Sequence, residues 1–272
     1  MMRSLWSAAS GMISQQTAVD TIANNLANVN TTGYKNEKTE FKSLLYQTLQ
    51  TRTTTANGEE KPISAQVGLG TRVAAITSNF TQGPHLDSES YTAMAIDGDG
   101  FFAVRGADGN TYYTRNGDFK LSVGEDGNLT LVTADGFPVL DTNGNPIVFP
   151  GGIQASKMMV SQEGALGYLD GQNNYVALNQ SIGLFQFNNP AGLDKLSNSL
   201  LGVTDASGEA MNEATTPNLV LSTVRQGYLE GSNVQVADEM VNLIVAQRAY
   251  EMNSKAIQAS DDMLGQANQL KR

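Results

Sequence analysis

Apolar residues recur every seven positions at both ends of the chain. Near the start, Leu5, Met12, Val19 and Leu26 fall seven apart, with Ala8, Ile22 and Val29 three residues later in the repeat and Gln15 as the interruption. Near the finish, Val236, Leu243, Tyr250, Ile257 and Leu264 keep the same spacing, and Met240, Ile244 and Ala246 widen the stripe. A seven-residue repeat places such side chains on one helix face, so the pattern predicts two long helices that each seek a helical partner.

The first helix is expected from Ser4, a candidate N-cap, to about Asn28, roughly 36 Å at about 1.5 Å per residue. It should end in the stretch Asn30 to Tyr34, where Gly33 can take a left-handed conformation. A second amphipathic segment, 36–49, spaces Phe41, Leu44, Leu45 and Leu49 at intervals of three and four and reads as a short helix. Residues 51–66 lose the pattern. They are rich in threonine, carry Gly58 and Pro62, and read as an extended connecting loop.

From Val67 to about Glu230 short alternating or β-branched runs take over. They are punctuated by Asp97-Gly98, Asp108-Gly109, Asn116-Gly117, Asp126-Gly127, Asp135-Gly136, Asn143-Gly144 and Asp170-Gly171, dipeptides suited to hairpin turns with positive φ. The fold class expected is α+β and discontinuous, with paired coiled-coil-like N- and C-terminal helices and a central, mainly antiparallel β domain. The domains read as 1–34 with 232–272, a terminal helical domain; 35–75, a short helix plus extended connector; and 76–231, a β-rich domain.

Charge sharpens this division. The net charge is −10, and residues 86–150 hold ten Asp/Glu against three Lys/Arg, whereas residues 1–50 hold three against four and 231–272 five against four. Near-neutral helical ends can approach identical copies without strong repulsion, and an acidic body without a basic stripe argues against nucleic acid. Four or five aliphatic side chains per helix, at roughly 1.5–3 kcal/mol each, barely offset the ordering of about 25 residues. Such helices are expected to be stable when many copies pack together. No apolar run is long enough to span a bilayer, and the opening residues, broken by Ser7, Ser10 and Gly11, make a poor secretory signal. Composition alone points to a cytoplasmic, soluble chain.

Catalytic chemistry has no visible carrier. There is no cysteine, and the lone His85 follows Gly83-Pro84 in what reads as a solvated turn. Asp97-Gly98-Asp99-Gly100 opens like a calcium loop but continues with Phe101 and Phe102, where the fifth and sixth positions need an oxygen ligand and glycine. The same glycines precede a strand pattern, not the helix a dinucleotide needs. No catalytic, cofactor-binding or metal-binding residues are expected.

Longer strings carry more. NNLANVNTTGYK at 24–35 and MVNLIVAQRAYEMNSKAIQASDDML at 240–264 resemble the terminal signatures of the bacterial flagellar rod and hook proteins. IDGDGFFAV at 96–104, YTRNGDF at 113–119, TADGFPVL at 133–140 and QGYLEGSNVQVADEMV at 226–241 resemble that family's central motifs, so the likeness spans nearly the whole chain. MMRSLW, LLYQTLQ at 44–50 and the total length most resemble the family's distal rod branch, with proximal rod and hook types as the alternative.

The resemblance implies a structural protein, not an enzyme, that self-assembles into a helical tube. Its implied partners are further copies, the proximal rod and hook proteins, the rod cap and surrounding ring proteins, and the flagellar type III export apparatus. It implies export without a cleaved signal peptide to the basal body in the cell envelope, in the periplasmic space or cell wall, which displaces the cytoplasmic expectation. No membrane insertion, nucleic acid or cofactor is implied. The packing residues would be Leu5, Met12, Val19, Ile22, Asn25, Leu26 and Asn28 with Val236, Met240, Leu243, Ile244, Tyr250, Ile257 and Leu264. Gly33 and Tyr34 would form the helix-end turn, and Tyr46, Gln47, Thr51, Gly58 and Pro62 a stretch that stiffens the rod. Two other classes make different demands: a cell-wall-acting enzyme needs a cleft with paired carboxylates, and a monomeric binding module needs its helices buried in their own chain.

Overall fold

The computed structural model describes residues 2–50, 65–124, 127–170, 172 and 174–270. By proximity the chain divides into two units. One gathers Met1–Ala27, Glu37–Ser78 and Gln235–Arg272, the other Asn28–Asn36 and Asn79–Val234. Helices at the two ends and antiparallel sheets between them make the class α+β.

In the helical unit, α1 (Met2–Ala27) and α2 (Val236–Gln269) pack together through small side chains. Ala18, Ile22 and Ala246 are buried, with Val19, Leu26 and Leu243 beside them. Gly11 lets the helices approach closely, because a Cβ there would stand 2.8 Å from the Asn253 amide. Ser4 is not the N-cap. The helix begins ahead of it, and its hydroxyl instead shares a 3.2 Å hydrogen bond with Ser260 on α2. Asp238 and Glu239 in the first turn of α2 complement the positive end of that helix's dipole.

The segment expected as a short helix over 36–49 is extended. β1 (Glu37–Ser43) and β2 (Tyr46–Gln50) precede β3 (Ala65–Gly68) and β4 (Thr71–Ser78), with β1 antiparallel to β4 and β2 antiparallel to β3. The cause is contact distant in sequence. The Asn25 side chain donates to the Glu37 carbonyl at 2.8 Å and accepts from its N–H at 2.9 Å, as a neighbouring strand would, while Thr39 bonds Thr21 at 2.9 Å. Phe41, Leu45 and Leu49, read as a helix face, are exposed. Ala65 and Gln66, expected in the loop, belong to β3; Thr51, Gly58 and Pro62 lie outside the described residues.

The second unit is built of antiparallel strands. β5 (His85–Asp87) pairs with Tyr228–Glu230 and β6 (Met94–Asp97) with Thr223–Gln226. β7 (Phe101–Arg105) and β8 (Thr111–Thr114) sit centrally in a six-stranded sheet running Asp194–Lys195, Leu201–Gly202, β8, β7, Leu184–Gln186, Met211–Asn212. Alternate residues of a strand face opposite ways, and β7 serves two cores. Phe102 and Val104 join Met94, Ile96, Phe119 and Leu131, while Phe101 and Ala103 join Tyr113, Leu140, Phe187 and Leu193. That explains an apolar run without polar alternation.

Gly98, Gly109, Gly127, Gly136 and Gly144 take the positive φ their dipeptides demand. Gly117 does not. It is there for room, because a Cβ would collide with the Met94 carbonyl oxygen. His85 is also not a solvated turn residue: it is half-buried in β5, opposite Glu230. Among the described residues no helix is long and apolar enough to cross a membrane.

Candidate functional site

The residues singled out for packing separate into two sets. Val19, Ile22, Leu26 and Leu243 meet in the inner seam, and Leu5, Met12, Ile257 and Leu264 are half-buried. Val236, Met240, Ile244 and Tyr250 are exposed. Val19 and Tyr250 help line an open groove of about 410 Å³ with Gln16, Gln247 and Glu251. Asn25 bonds both backbone groups of Glu37 on β1. Asn28 lies past the helix end, where its side chain accepts from the Thr31 hydroxyl at 3.0 Å. Tyr46 and Gln47 sit on β2, opposite Gly68 and Val67.

A second stripe was missed. Val245, Met252 and Ala259 repeat at seven residues on the face of α2 turned away from Ala246 and Ser260. Val245 is 62% and Met252 66% exposed, and Val241 joins them. On α1, Trp6 (72%) and Ile13 (67%), also seven apart, are equally bare. The sequence carried this signal, since α2 has two heptad stripes, but the stronger Leu243–Ile257 series concealed it.

In the β-rich unit, a second constellation joins segments far apart in sequence. Residues 28–36 turn at Gly33, whose φ of 70° suits glycine and whose N–H donates to the Glu230 carbonyl at 2.8 Å. The Tyr34 N–H closes the turn on the Thr31 carbonyl at 3.3 Å, six or more residues beyond the end of α1. Thr32 donates to Asn116 at 2.9 Å. Beneath this turn lies a buried charge cluster. Lys35 Nζ donates to Glu230 Oε1 at 2.6 Å and to the Thr81 carbonyl at 2.9 Å, and Arg115 approaches Glu230 Oε2 at 3.4 Å. The Gly83 N–H adds a 3.0 Å bond to the same carboxylate.

Arg115 also donates to the Gly98 carbonyl at 2.6 Å and stacks over Phe101 at 5.2 Å. Burial, then the nearby Arg115 guanidinium, pulls the Lys35 ammonium below its ordinary value, and Glu230 opposes that pull. Burial lowers Arg115 too, against the fields of Glu230, Asp99 and Glu213.

Replacing Gly33 with alanine should cost about 1–3 kcal/mol of unit stability. Alanine would have to hold the left-handed backbone that glycine takes here without strain, and its Cβ would stand 2.7 Å from the Arg115 carbonyl carbon and the Asn116 nitrogen. Thermal melting of the purified variant checks this; an unchanged midpoint would show that the turn is not held as described.

No group of acidic or histidine side chains suited to a metal occurs among the described residues. The arrangement supports packing and positioning, not bond-making. The family model for the flagella basal body rod protein matches residues 5–35, that for the flagellar hook protein FlgE/F/G D1 domain matches 95–168, and that for the flagellar basal body rod FlgEFG protein C-terminal matches 225–270. Over the whole of both chains this sequence is 46% identical to the flagellar basal-body rod protein FlgG of Borreliella burgdorferi. This chain belongs to the flagellar basal-body rod protein family.

Two Bacillus subtilis relatives also align over full length. They are the flagellar basal-body rod protein FlgG at 36% identity and the flagellar hook-basal body complex protein FlhP at 31%. As a rod-family member the chain is a structural protein, not an enzyme, and belongs to the flagellar basal body. Lys35, Arg115 and Glu230 fall one in each of the three matched segments.

Proposed function

We propose that the chain is the distal rod subunit, polymerising into a straight, rigid helical tube that carries torque from motor to hook. The observation that carries this reading is the apolar outer face of the terminal helices. Their inner seam buries Ala18, Ile22 and Ala246 with Val19, Leu26 and Leu243 beside them, while Trp6, Ile13, Val241, Val245 and Met252 stand bare. Large apolar side chains left bare at seven-residue spacing on both helices support an interaction surface there. Copies joined by heterologous contacts that do not close into a ring build an open helical assembly. The terminal helices then pair as coiled-coil-like elements and form the inner tube.

On this reading the other partners are the proximal rod and hook proteins at either end, the rod cap, the surrounding rings, and the type III apparatus that exports the chain without a cleaved signal. The site is the part of the basal body that crosses the periplasmic space or cell wall. Sedimentation against concentration tests the assembly, and imaging a labelled subunit tests its place in the axis. A chain that stays monomeric at every concentration sinks the reading. The full-length match to FlhP favours a sister axial protein as the second reading.

The β2–β3 hairpin bears on stiffness. Leu45, Tyr46, Leu49, Val67 and Leu69 are exposed on a two-stranded ribbon, an arrangement marginal in water without a partner surface. It flanks the stretch containing Thr51, Gly58 and Pro62, and together they lock neighbouring subunits. Deleting residues 51–64 is expected to give bent, hook-like filaments under electron microscopy; straight ones would reduce the stretch to a linker.

A further inference from the structure

We infer that the buried Glu230 carboxylate is a lock that holds together the three segments by which the chain enters and leaves the β-rich unit. Those segments are 28–36, the stretch beginning at Asn79, and the stretch ending at Val234. Glu230 touches all of them. Its side chain is fully buried and bonds Lys35 from the first and Gly83 from the second, and its backbone carbonyl takes the Gly33 N–H. Arg115 backs the carboxylate from the sheet side, and its guanidinium is anchored by Gly98 and Phe101.

Asn233 makes a second tie three residues on. Its Oδ1 accepts from the Asn36 N–H at 2.7 Å, and its Nδ2 donates to the carbonyls of Asn79 at 2.8 Å and Thr81 at 3.0 Å. The Asn79 N–H donates to the Asn36 carbonyl at 2.9 Å, and the Gly231 N–H to that of Pro84 at 2.8 Å. Every one of these bonds lies within the β-rich unit.

A buried ion pair is a poor source of net stability, because desolvation offsets its attraction, but an unpaired member is costly. The cluster therefore favours one arrangement of the segments and penalises any other. Glu230 is a positioning residue: it fixes the three segments against one another within the β-rich unit. Given the rod reading, the same lock stiffens each subunit where its connectors are rooted.

Hydrogen exchange on the full chain tests the lock. Glu230→Gln should raise exchange at the amides of Gly33, Asn36, Asn79 and Gly83 together, by about tenfold or more, while those of Phe102, Val104 and Leu131 stay unchanged. A rise confined to Gly83, its direct partner, overturns the proposal. The charge-free triple Lys35→Met, Arg115→Met, Glu230→Met covers the case in which the single variant fails to fold. It should melt close to the parent yet lose protection at the same four amides, and protection retained there overturns the lock. Filaments of the triple should bend more in electron micrographs. Straight ones would overturn the mechanical consequence, and a parent chain that forms no filaments would overturn the rod reading while leaving the exchange result standing.

Discussion

Val245→Asp is expected to leave the monomer folded and to stop filament growth. The side chain is mostly exposed, so a carboxylate there meets water and disturbs no packing in the monomer. In the proposed tube the same position would be covered. Losing the burial of a valine costs about 1.5–3 kcal/mol, and a charge carried into an apolar contact adds to that. Even about 3 kcal/mol per contact is a factor of about 100 in the constant for adding one subunit, and growth repeats the loss at every step. Met252→Asp, one repeat along, should behave alike. Leu243→Asp differs in kind, because Leu243 packs beside Ala246 in the inner seam, so helix pairing should suffer along with assembly. Circular dichroism of the monomer and electron microscopy of concentrated protein separate the two. If Val245→Asp grows normal filaments, the outer stripe is no interface.

Local chemistry was legible in the sequence, and long-range chemistry was not. Asp135-Gly136 and Asn143-Gly144 announce tight turns because the requirement for positive φ is met within two residues. The paired terminal helices could be read because a heptad stripe repeats its message over several turns. The segment 36–49 misled because Phe41, Leu44, Leu45 and Leu49 happen to keep helical spacing. What decides its conformation is the Asn25 amide behind it and the strand at 71–78 ahead of it. Gly117 looked like another turn glycine, and only the Met94 carbonyl pressed against it gives the real reason. The Glu230 cluster was least accessible. Lys35 and Arg115 are 80 residues apart, Glu230 lies 115 further on, and an isolated Lys, Arg or Glu ordinarily means a solvated surface.

Phe102→Ala should be the most damaging single change to the β-rich unit. Its ring is fully buried and meets Phe119 edge-on, with centroids 5.0 Å apart and planes at 80°. Met94, Ile96, Val104 and Leu184 belong to the same cluster. Truncating a phenylalanine in such a setting costs about 3–5 kcal/mol, from lost transfer energy and the cavity left behind. Against a total of about 5–15 kcal/mol for a typical domain, that is a large share. A unit of this size should lose about 2–4 °C of melting temperature per kcal/mol, so a fall near 10 °C is expected. Near-ultraviolet dichroism of the tyrosines reports it, because the one tryptophan, Trp6, belongs to the helical unit. Tyr175→Ala makes the control: that ring is half exposed over Gly167 and should cost far less. Equal effects from the two would show that the fully buried Phe102 ring holds the unit no more firmly than a half-exposed one, against its place in the core cluster.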